Sequence, residues 1–515
     1  MNNPEYDFIV IGSGFGGSVA ALRLAEKNYK VLVIEKGKRL KPHDFPETNW
    51  NLKKWMWIPA LRFFGLFKIS FFRHITVLSG VGVGGGSLVY ANTLAIPKSE
   101  FYASGSWSGL ADWRDELKPF YSKALQMLSA VENPRLETGD LALKKLGVQI
   151  GRADDFFPTT VAVSMQEKFK NIAGYELTAC NFCGGCMTGC RYNAKNTLDK
   201  NYLYLAEQLG VKILPETEVV DVIPAGNKNG ENGYELITVS STSIFKHKKR
   251  FTSKGVVFAG GVLGTVKLLL KLKDSSLPRL SDRVGYDIRT NSESLVGVTT
   301  FDKAKSFSDG VAIGSILYTG NKTHLEPVRY GSGSGFWRIL MSPMVTGKSA
   351  IERIKNILID LLKNPIKNLK VFTVWNWAKR TQILLFMQTI DSKIKFTLGK
   401  LGMKTEMQEG KAPSAFIPHA KELSEKYAEI VNGKPMVLLT ETLGGIPTTA
   451  HILGGAVIGK DKNSGVIDSN QKVFGYENLW VCDGSAISAN PGVNPSLTIL
   501  AMTERAMDKV PGKAD

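Results

Sequence analysis

Cysteine is scarce in this chain, five among 515 residues, which excludes the disulfide-dense scaffold of a small secreted protein. Long apolar runs are missing as well. No stretch of roughly 18 to 20 residues, the length a membrane-crossing helix needs, is free of charge or a breaker, so membrane contact is expected only at the periphery. The first residues, MNNPEYDFIVIGSG, lack the positive, apolar and cleavable regions of a secretion signal. The expected address is cytoplasmic, with peripheral contact at the inner face of the membrane as a variation on it. Internal repeats and long low-complexity segments are absent. Acidic residues are the minority, 47 against 65 Lys and Arg, giving a formal charge of +18. Such an excess suits an anionic membrane surface, nucleic acid or plain solubility. The bases are scattered apart from KHKKR at 246–250. No zinc-finger, recognition-helix or RNA-binding pattern accompanies them, so nucleic acid is not expected as a partner.

What is present is the material of a large globular protein: 43% hydrophobic and 10% aromatic residues, enough for a sizeable core and two or more closely joined domains. Residues 6–37 read as strand, glycine turn, helix and second strand. Gly12, Gly14 and Gly17 form a G-x-G-x-x-G turn, in which the first glycine permits the bend, the second admits a pyrophosphate and the third lets helix pack on strand. The helix N-terminus then faces the phosphates, and Glu35 closes the second strand where a carboxylate meets an adenosine ribose. A dinucleotide site is expected, and FAD and NAD both suit it. A second glycine-rich loop, SGVGVGGGSLV at 79–89, lets backbone approach a flat or phosphorylated group, with the Ser87 hydroxyl available to it.

Farther along, 211–221 reads as one strand, and 255–272 as a buried strand that turns at Gly260, Gly261 and Gly264 into a helix. Residues 328–341, VRYGSGSGFWRILM, read as a strand of a substrate domain that a helical insertion interrupts at 350–380. After the cysteine run, 191–210 reads as a helix. Near the C-terminus an apolar strand precedes Asp483, and a helix starts at about 494–496, where Asn494 is placed to cap it. No clean linker separates these parts, so the domains are expected to interleave in sequence.

Five of these segments, in this order, resemble the glucose/methanol/choline family of flavin oxidoreductases, most closely its cholesterol-oxidase-like bacterial branch: VIGSGFGGSVAALRLAEKNYKVLVIEKG, GVGGGSLVYANT, VVFAGGVLGTVKLLL, HILGG and DGSAISANPGVNPSLTILAMTERA. Residues 270–440 carry little of the likeness. The resemblance implies an α/β and α+β fold, a Rossmann-like FAD-binding domain interleaved with a substrate domain on an antiparallel sheet. The implied division is an FAD-binding domain from 1–100 and 201–285, a mixed segment at 101–200 holding the cysteine run, a substrate domain at 286–440, and a catalytic motif with the last FAD-binding part at 441–515. It implies FAD on the first glycine turn and Glu35, the flavin beside Gly86 and Ser87, and further contacts from Val219, Gly261 and Asp483.

The chemistry so implied is oxidation of an alcohol to a carbonyl, with hydride leaving for the flavin as the hydroxyl proton leaves for a base. A group titrating near neutrality suits that base. Of six histidines, His451 alone sits beside a Gly-Gly turn, in TTAHILGG, and Asn494 follows 43 residues later in GVNPS. The resemblance implies that both face the flavin, His451 as base or as orienting partner and Asn494 as second ligand to the alcohol oxygen. The chain departs from that branch at Ile452, Ala456 and Tyr90, where the branch has Pro, Cys and Asn. A glutamate base from the substrate domain has no motif to mark it.

Four of the five cysteines, Cys180, Cys183, Cys186 and Cys190, lie in CNFCGGCMTGC. C-x2-C-x2-C-x3-C is the bacterial ferredoxin run, but no second run is present, so a four-iron cluster needs Cys190 to bend back or Cys482 to come across. Zinc on four thiolates is a second reading, although structural zinc sites join separated ligand pairs. A tight structural loop without metal is a third. A cluster would relay electrons to a quinone, cytochrome or ferredoxin; without one, oxygen is the natural acceptor.

Two segments bear on the substrate. Residues 52–73 mix aromatics with Lys and Arg, and 351–380 carries Ile351, Ile354, Leu358, Leu361 and Leu362 at helical spacing. They are either a lid and a core helix or basic amphipathic surfaces that meet a membrane. The second case favours a lipophilic alcohol, a sterol or long chain. An FAD-binding electron carrier or assembly subunit without alcohol chemistry is the rival of another class, and an oxygen-using oxidase with a structural cysteine loop is the rival within enzymes. A pyridine-nucleotide enzyme would need a second nucleotide fingerprint, and none is found.

Overall fold

In the computed structural model, which describes residues 4–226, 229–400, 402–409 and 412–513, the buried strand Tyr6–Ile11 pairs in parallel with Val31–Ile34 on one side and with Lys248–Phe258 on the other. Lys212–Leu214 extends this sheet in parallel, Tyr234–Ser240 and Thr217–Pro224 add an antiparallel flank, and Leu479–Val481 pairs with the end of Lys248–Phe258. Apolar, β-branched runs such as FIVI and VLVI suit central strands covered on both faces. The helices Phe15–Glu26 and Ser496–Asp508 pack against one another. They are locked by the fully buried Glu504, which accepts from Arg23 at 2.7 Å and from the Tyr202 hydroxyl at 2.8 Å.

A second seven-stranded sheet is antiparallel throughout, in the order Met341–Pro343, Gly433–Leu438, Ser294–Thr300, Thr381–Gln388, Thr323–Val328, Ser315–Gly320, Phe156–Pro158. Its pleat divides its side chains by period two. Leu384 and Phe386 pack with Leu143, Leu423 and Tyr427 of the covering helices Thr138–Gln149 and Pro418–Val431. Ile383, Leu385 and Met387 point to the other face, with Trp337 and Met341. On the helix side the buried pair Asp140–Arg329, 2.8 Å apart, ties helix to sheet.

The structure corrects several local expectations. Residues 211–221 form two strands, because the turn at Pro215 and Glu216, the latter at φ +54, separates Lys212–Leu214 from Thr217–Pro224. Residues 328–341 are not one strand: past Val328 the glycines carry the chain through a loop into the 3-10 turn Phe336–Leu340. After the cysteines the chain stays irregular to a 3-10 turn at Leu198–Lys200, and the helix runs only over Tyr202–Gln208. The helix Ser496–Asp508 starts on Pro495 with no side-chain cap, so Asn494 is free for other work. The antiparallel sheet also draws a strand, Phe156–Pro158, from well before residue 286.

Candidate active site

A cavity of about 600 Å³ takes its lining from both sheets. From the dinucleotide sheet come Gly12, Gly14, Glu35, Val219 and Gly261. Gly12 sits at φ +101, and a Cβ there would lie 2.3 Å from the Ala259 carbonyl oxygen, so only glycine serves. Gly17 does not border the cavity: a Cβ on it would fall 2.0 Å from the Gly12 carbonyl oxygen, and its part is helix-on-strand packing. Glu35 is buried and accepts from the Ser13 N–H at 3.0 Å, the Ser13 hydroxyl at 2.8 Å and the Gly37 N–H at 2.8 Å. Gly86 borders the cavity, whereas Ser87 does not. The Ser87 hydroxyl is spent on the Gly84 carbonyl at 2.7 Å and accepts from the Leu198 N–H at 3.2 Å, which pins the glycine loop instead. Asp483 borders the cavity and accepts from Thr265 Oγ1 at 2.5 Å and the Ser485 N–H at 2.8 Å. Burial pushes its carboxyl above the usual range.

His451 and Asn494, far apart in sequence, both border this cavity. His451 Nδ1 lies 3.0 Å from Glu293 Oε2, an ion-pair distance at an angle that makes no hydrogen bond, and the other oxygen of Glu293 accepts from Thr449 Oγ1. Thr449 in turn accepts from the His451 N–H at 2.9 Å, so one threonine fixes both partners. Burial works against a charged imidazole, yet the carboxylates of Glu293 and Glu326 outweigh it and hold His451 above its ordinary range. Asn494 Nδ2 donates to Glu326 Oε2 at 3.2 Å, and among the described residues its Oδ1 has no partner. Glu326 also lies near His324, whose Nε2 is 3.5 Å from its other oxygen. Behind Glu293, burial pushes the Glu441 carboxyl up to about 8.

The four cysteines border a second cavity of about 370 Å³. Cys180 Sγ accepts from the Phe182 N–H at 3.3 Å, and Cys190 Sγ from the Lys195 N–H at 3.4 Å. Burial pushes the Cys180 thiol up to about 12 and Cys183 up to about 11. Among the described residues no group of three or more His, Cys, Asp or Glu is set to hold a metal ion. All four thiols line this one cavity, and neither an iron–sulfur cluster nor zinc is shown there. Cys482 cannot join them, since it is packed in the core beneath the dinucleotide sheet. What the loop does touch is the first cavity. Met187, next to Cys186, lines it, and the buried Lys195 donates to the carbonyls of Cys186, Leu88 and Tyr90 at 2.9, 3.2 and 2.8 Å. Burial lowers the Lys195 ammonium to about 7.

Comparison with known proteins places this geometry. The model of the N-terminal GMC oxidoreductase domain matches residues 6–286, and that of the C-terminal domain matches 417–503. The chain belongs to the GMC oxidoreductase family. This GMC oxidoreductase is 44% identical to a cholesterol oxidase of Acinetobacter baumannii, an alignment that covers 100% of the chain and 96% of that relative. It is 41% identical to a cholesterol oxidase of Mycobacterium tuberculosis over 99% of the chain and 92% of the relative. A long-chain-alcohol oxidase of Arabidopsis thaliana is 25% identical, covering 96% of the chain and 65% of that protein. Among solved structures, the pyridoxine 4-oxidase from Mesorbium loti superposes with a TM-score of 0.62 at 14% identity, covering 98% of this chain and 99% of that one, a likeness of fold.

The chain is thus an FAD-dependent alcohol oxidoreductase, and its residues fit the cofactor. Gly14, with nothing nearer to a Cβ than Gly85 Cα at 3.9 Å, leaves the backbone open toward the cavity at the start of the helix Phe15–Glu26. Buried polar atoms without partners among the described residues, Tyr90 OH, Thr93 Oγ1 and Ser496 Oγ, belong to residues that line the same cavity, where the polar edge of a flavin can satisfy them. Sequence reasoning missed Glu293 and Glu326. Both come from the antiparallel sheet region, where no motif surrounds them. The one signal was positional: Glu326 is a lone acid in the buried strand THLEPV, and a buried carboxylate needs a partner.

Proposed function

We propose that this oxidoreductase removes hydride from the hydroxyl-bearing carbon of a sterol or long-chain alcohol, yields the carbonyl product, and returns its electrons to oxygen as hydrogen peroxide. Bound FAD supplies the hydride acceptor. The work of the chain is to hold the alcohol and take its proton. With Nδ1 turned to Glu293, His451 offers Nε2, on the opposite edge of its ring, to the substrate hydroxyl. The Glu293 carboxylate stabilises the imidazolium formed when that proton arrives. Asn494, its amide nitrogen committed to Glu326, borders the same cavity and confines the hydroxyl beside His451. The apolar body of the substrate lies on the sheet face of Val328, Ile383 and Leu385, with Trp337, Met341 and Leu438 around it. A sugar would leave its hydroxyls unpaired there.

The observation that carries this reading is the meeting of one imidazole–carboxylate pair and the buried Asn494 with an apolar sheet face in a single cavity. The names of the relatives, cholesterol oxidase and long-chain-alcohol oxidase, support the substrate class and oxygen as acceptor. His451, Asn494 and the FAD-contact residues Gly12, Gly14, Glu35, Gly86, Val219, Gly261 and Asp483 are part of this proposal. The cysteine loop is proposed as a brace that holds Tyr90 and the glycine loop through Lys195; no step passes through a metal. Incubating the holoenzyme with cholesterol and with a long-chain primary alcohol in detergent, then measuring peroxide and carbonyl product, tests the substrate class. Turnover of neither overturns it.

A further inference from the structure

The helix pair Ala350–Lys363 and Pro365–Thr373 is amphipathic the wrong way round for a surface helix of a water-bound protein. Its polar groups face inward. Arg353 is buried and donates to the carbonyls of Gly347 at 3.1 Å and Leu443 at 2.8 Å. Asp360 pairs with Lys434 at 2.5 Å, and the buried Asn368 donates to Asp360 at 3.0 Å. Its apolar groups face out. Ile351, Ile354, Leu358 and Leu362 share one stripe and are exposed, Ile351 by 81% and Leu362 by 80%. Ile366 and Leu369 continue the exposed apolar surface onto the second helix, and Trp375, 91% exposed, follows it. An exposed apolar area of this extent marks an interaction surface.

The surface lies against the wall of the active-site cavity. The first helix packs on the strand Met341–Pro343 and on the helix Leu439–Gly444, and Met341 and Leu438 line the cavity. In the 3-10 turn Phe336–Leu340, Trp337 lines the cavity while Ile339, two residues on, is exposed. Arg338 of that turn donates to the Val374 carbonyl at 2.8 Å, which holds Trp375 beside it. Charge decides the occupant. Residues 344–380 hold eight Lys and Arg against two acids, and Lys355, Lys363, Lys367 and Lys370 are exposed around the apolar stripe. A second copy would bring like charge against like. An anionic lipid surface offers acyl chains to the stripe and phosphates to the lysines.

We infer that this helix pair docks the enzyme on a bilayer containing anionic lipid. A lipophilic alcohol thus enters the cavity past the wall formed by Trp337, Met341 and Leu438. The entry route rests on the substrate reading above; the docking does not.

The test uses FAD-loaded full-length enzyme and vesicles of phosphatidylcholine with and without phosphatidylglycerol, read by co-sedimentation and Trp fluorescence. The wild type is expected to bind the anionic vesicles at least about tenfold better than the neutral ones, and to be released by salt. The triple substitution Ile351→Asp, Leu358→Asp, Leu362→Asp is expected to abolish that binding. It should slow turnover of alcohol presented in vesicles and leave turnover of detergent-dispersed alcohol unchanged. If the triple variant misfolds, Trp375→Ala and the salt titration of the wild type give the same reading. Absence of wild-type binding, equal binding by variant and wild type, or a wild-type dimer that the triple substitution disperses would each overturn the docking. Vesicle binding without oxidation of any lipophilic alcohol would leave the docking standing and overturn the substrate reading alone.

Discussion

The side-chain amide of Asn494 donates to the carboxylate of Glu326 across 3.2 Å, joining the turn before the C-terminal helix to the middle of the antiparallel sheet. Both groups are buried, and the arrangement leaves Asn494 Oδ1 without a partner among the described residues. A residue from the family motif is therefore aimed by a residue that no motif marks. His451 is governed in the same manner, since Glu293 comes from the start of the sheet strand Ser294–Thr300.

If Glu326 sets the orientation of Asn494, Glu326→Gln should free that amide to turn. The expected outcome is a fall in kcat of about 100-fold, the scale of a small misplacement of a positioned group, with FAD content and KM little changed. Steady-state kinetics on detergent-dispersed substrate check it, and an unchanged kcat would make the contact merely structural.

The raised pKa of His451 predicts the pH profile. A base must be deprotonated to accept the hydroxyl proton, so kcat/KM should be low at acid pH and rise through the pKa of His451, above the ordinary histidine range. Glu293→Gln removes the nearest carboxylate that raises this pKa, so the acid limb should move to lower pH while the plateau drops. A limb that stays in place in the variant would assign it to another group.

The first glycine turn separates two kinds of damage. In Gly17→Ala the added carbon meets the Gly12 backbone oxygen at 2.0 Å, and the expected loss is about 1–3 kcal/mol of stability, read by thermal unfolding of the apoprotein. In Gly14→Ala nothing lies closer than 3.9 Å and the backbone conformation is ordinary. There the melting of the apoprotein should be unchanged while FAD affinity falls, which flavin titration measures.

The dinucleotide half was legible because its glycines are geometric necessities and its strands are runs of buried aliphatics. His451 and Asn494 were legible through motif order, and the structure brings both to one cavity. The reading failed where local pattern carries no tertiary information. Ser87 sits in the second glycine-rich loop but turns its hydroxyl inward to Gly84, and nothing in SGVGVGGGSLV distinguishes those directions. Glycines in VRYGSGSGFWRILM broke a strand that its apolar residues suggested. The stripe at Ile351, Ile354, Leu358, Leu361 and Leu362 is spaced for one helical face, and all but the half-buried Leu361 are exposed, but periodicity alone does not say whether that face looks toward the core or away from it. The inward turn of Arg353 decides the matter. Glu293 and Glu326 were invisible because a partner from another element gives a buried acid its meaning.

With the cysteine loop proposed as a brace that holds Tyr90 and the glycine loop through Lys195, metal and acid-labile sulfide analysis of enzyme purified without oxygen should return flavin without iron or sulfide. Cys183→Ser should leave the visible spectrum unchanged. Iron with matching sulfide, and absorbance beyond the flavin bands that vanishes in the variant, would restore the electron relay and start a search for a quinone, cytochrome or ferredoxin partner.

The most direct test of the central claim is anaerobic mixing of the FAD-loaded enzyme with cholesterol or a long-chain alcohol in detergent, followed at the flavin absorbance, for the wild type and His451→Ala. The account predicts rapid bleaching in the wild type and, in the variant, full FAD content with bleaching slowed by about two to four orders of magnitude, the contribution of a positioned general base. Bleaching at the wild-type rate in His451→Ala, or no bleaching of the wild type by either alcohol, would contradict it.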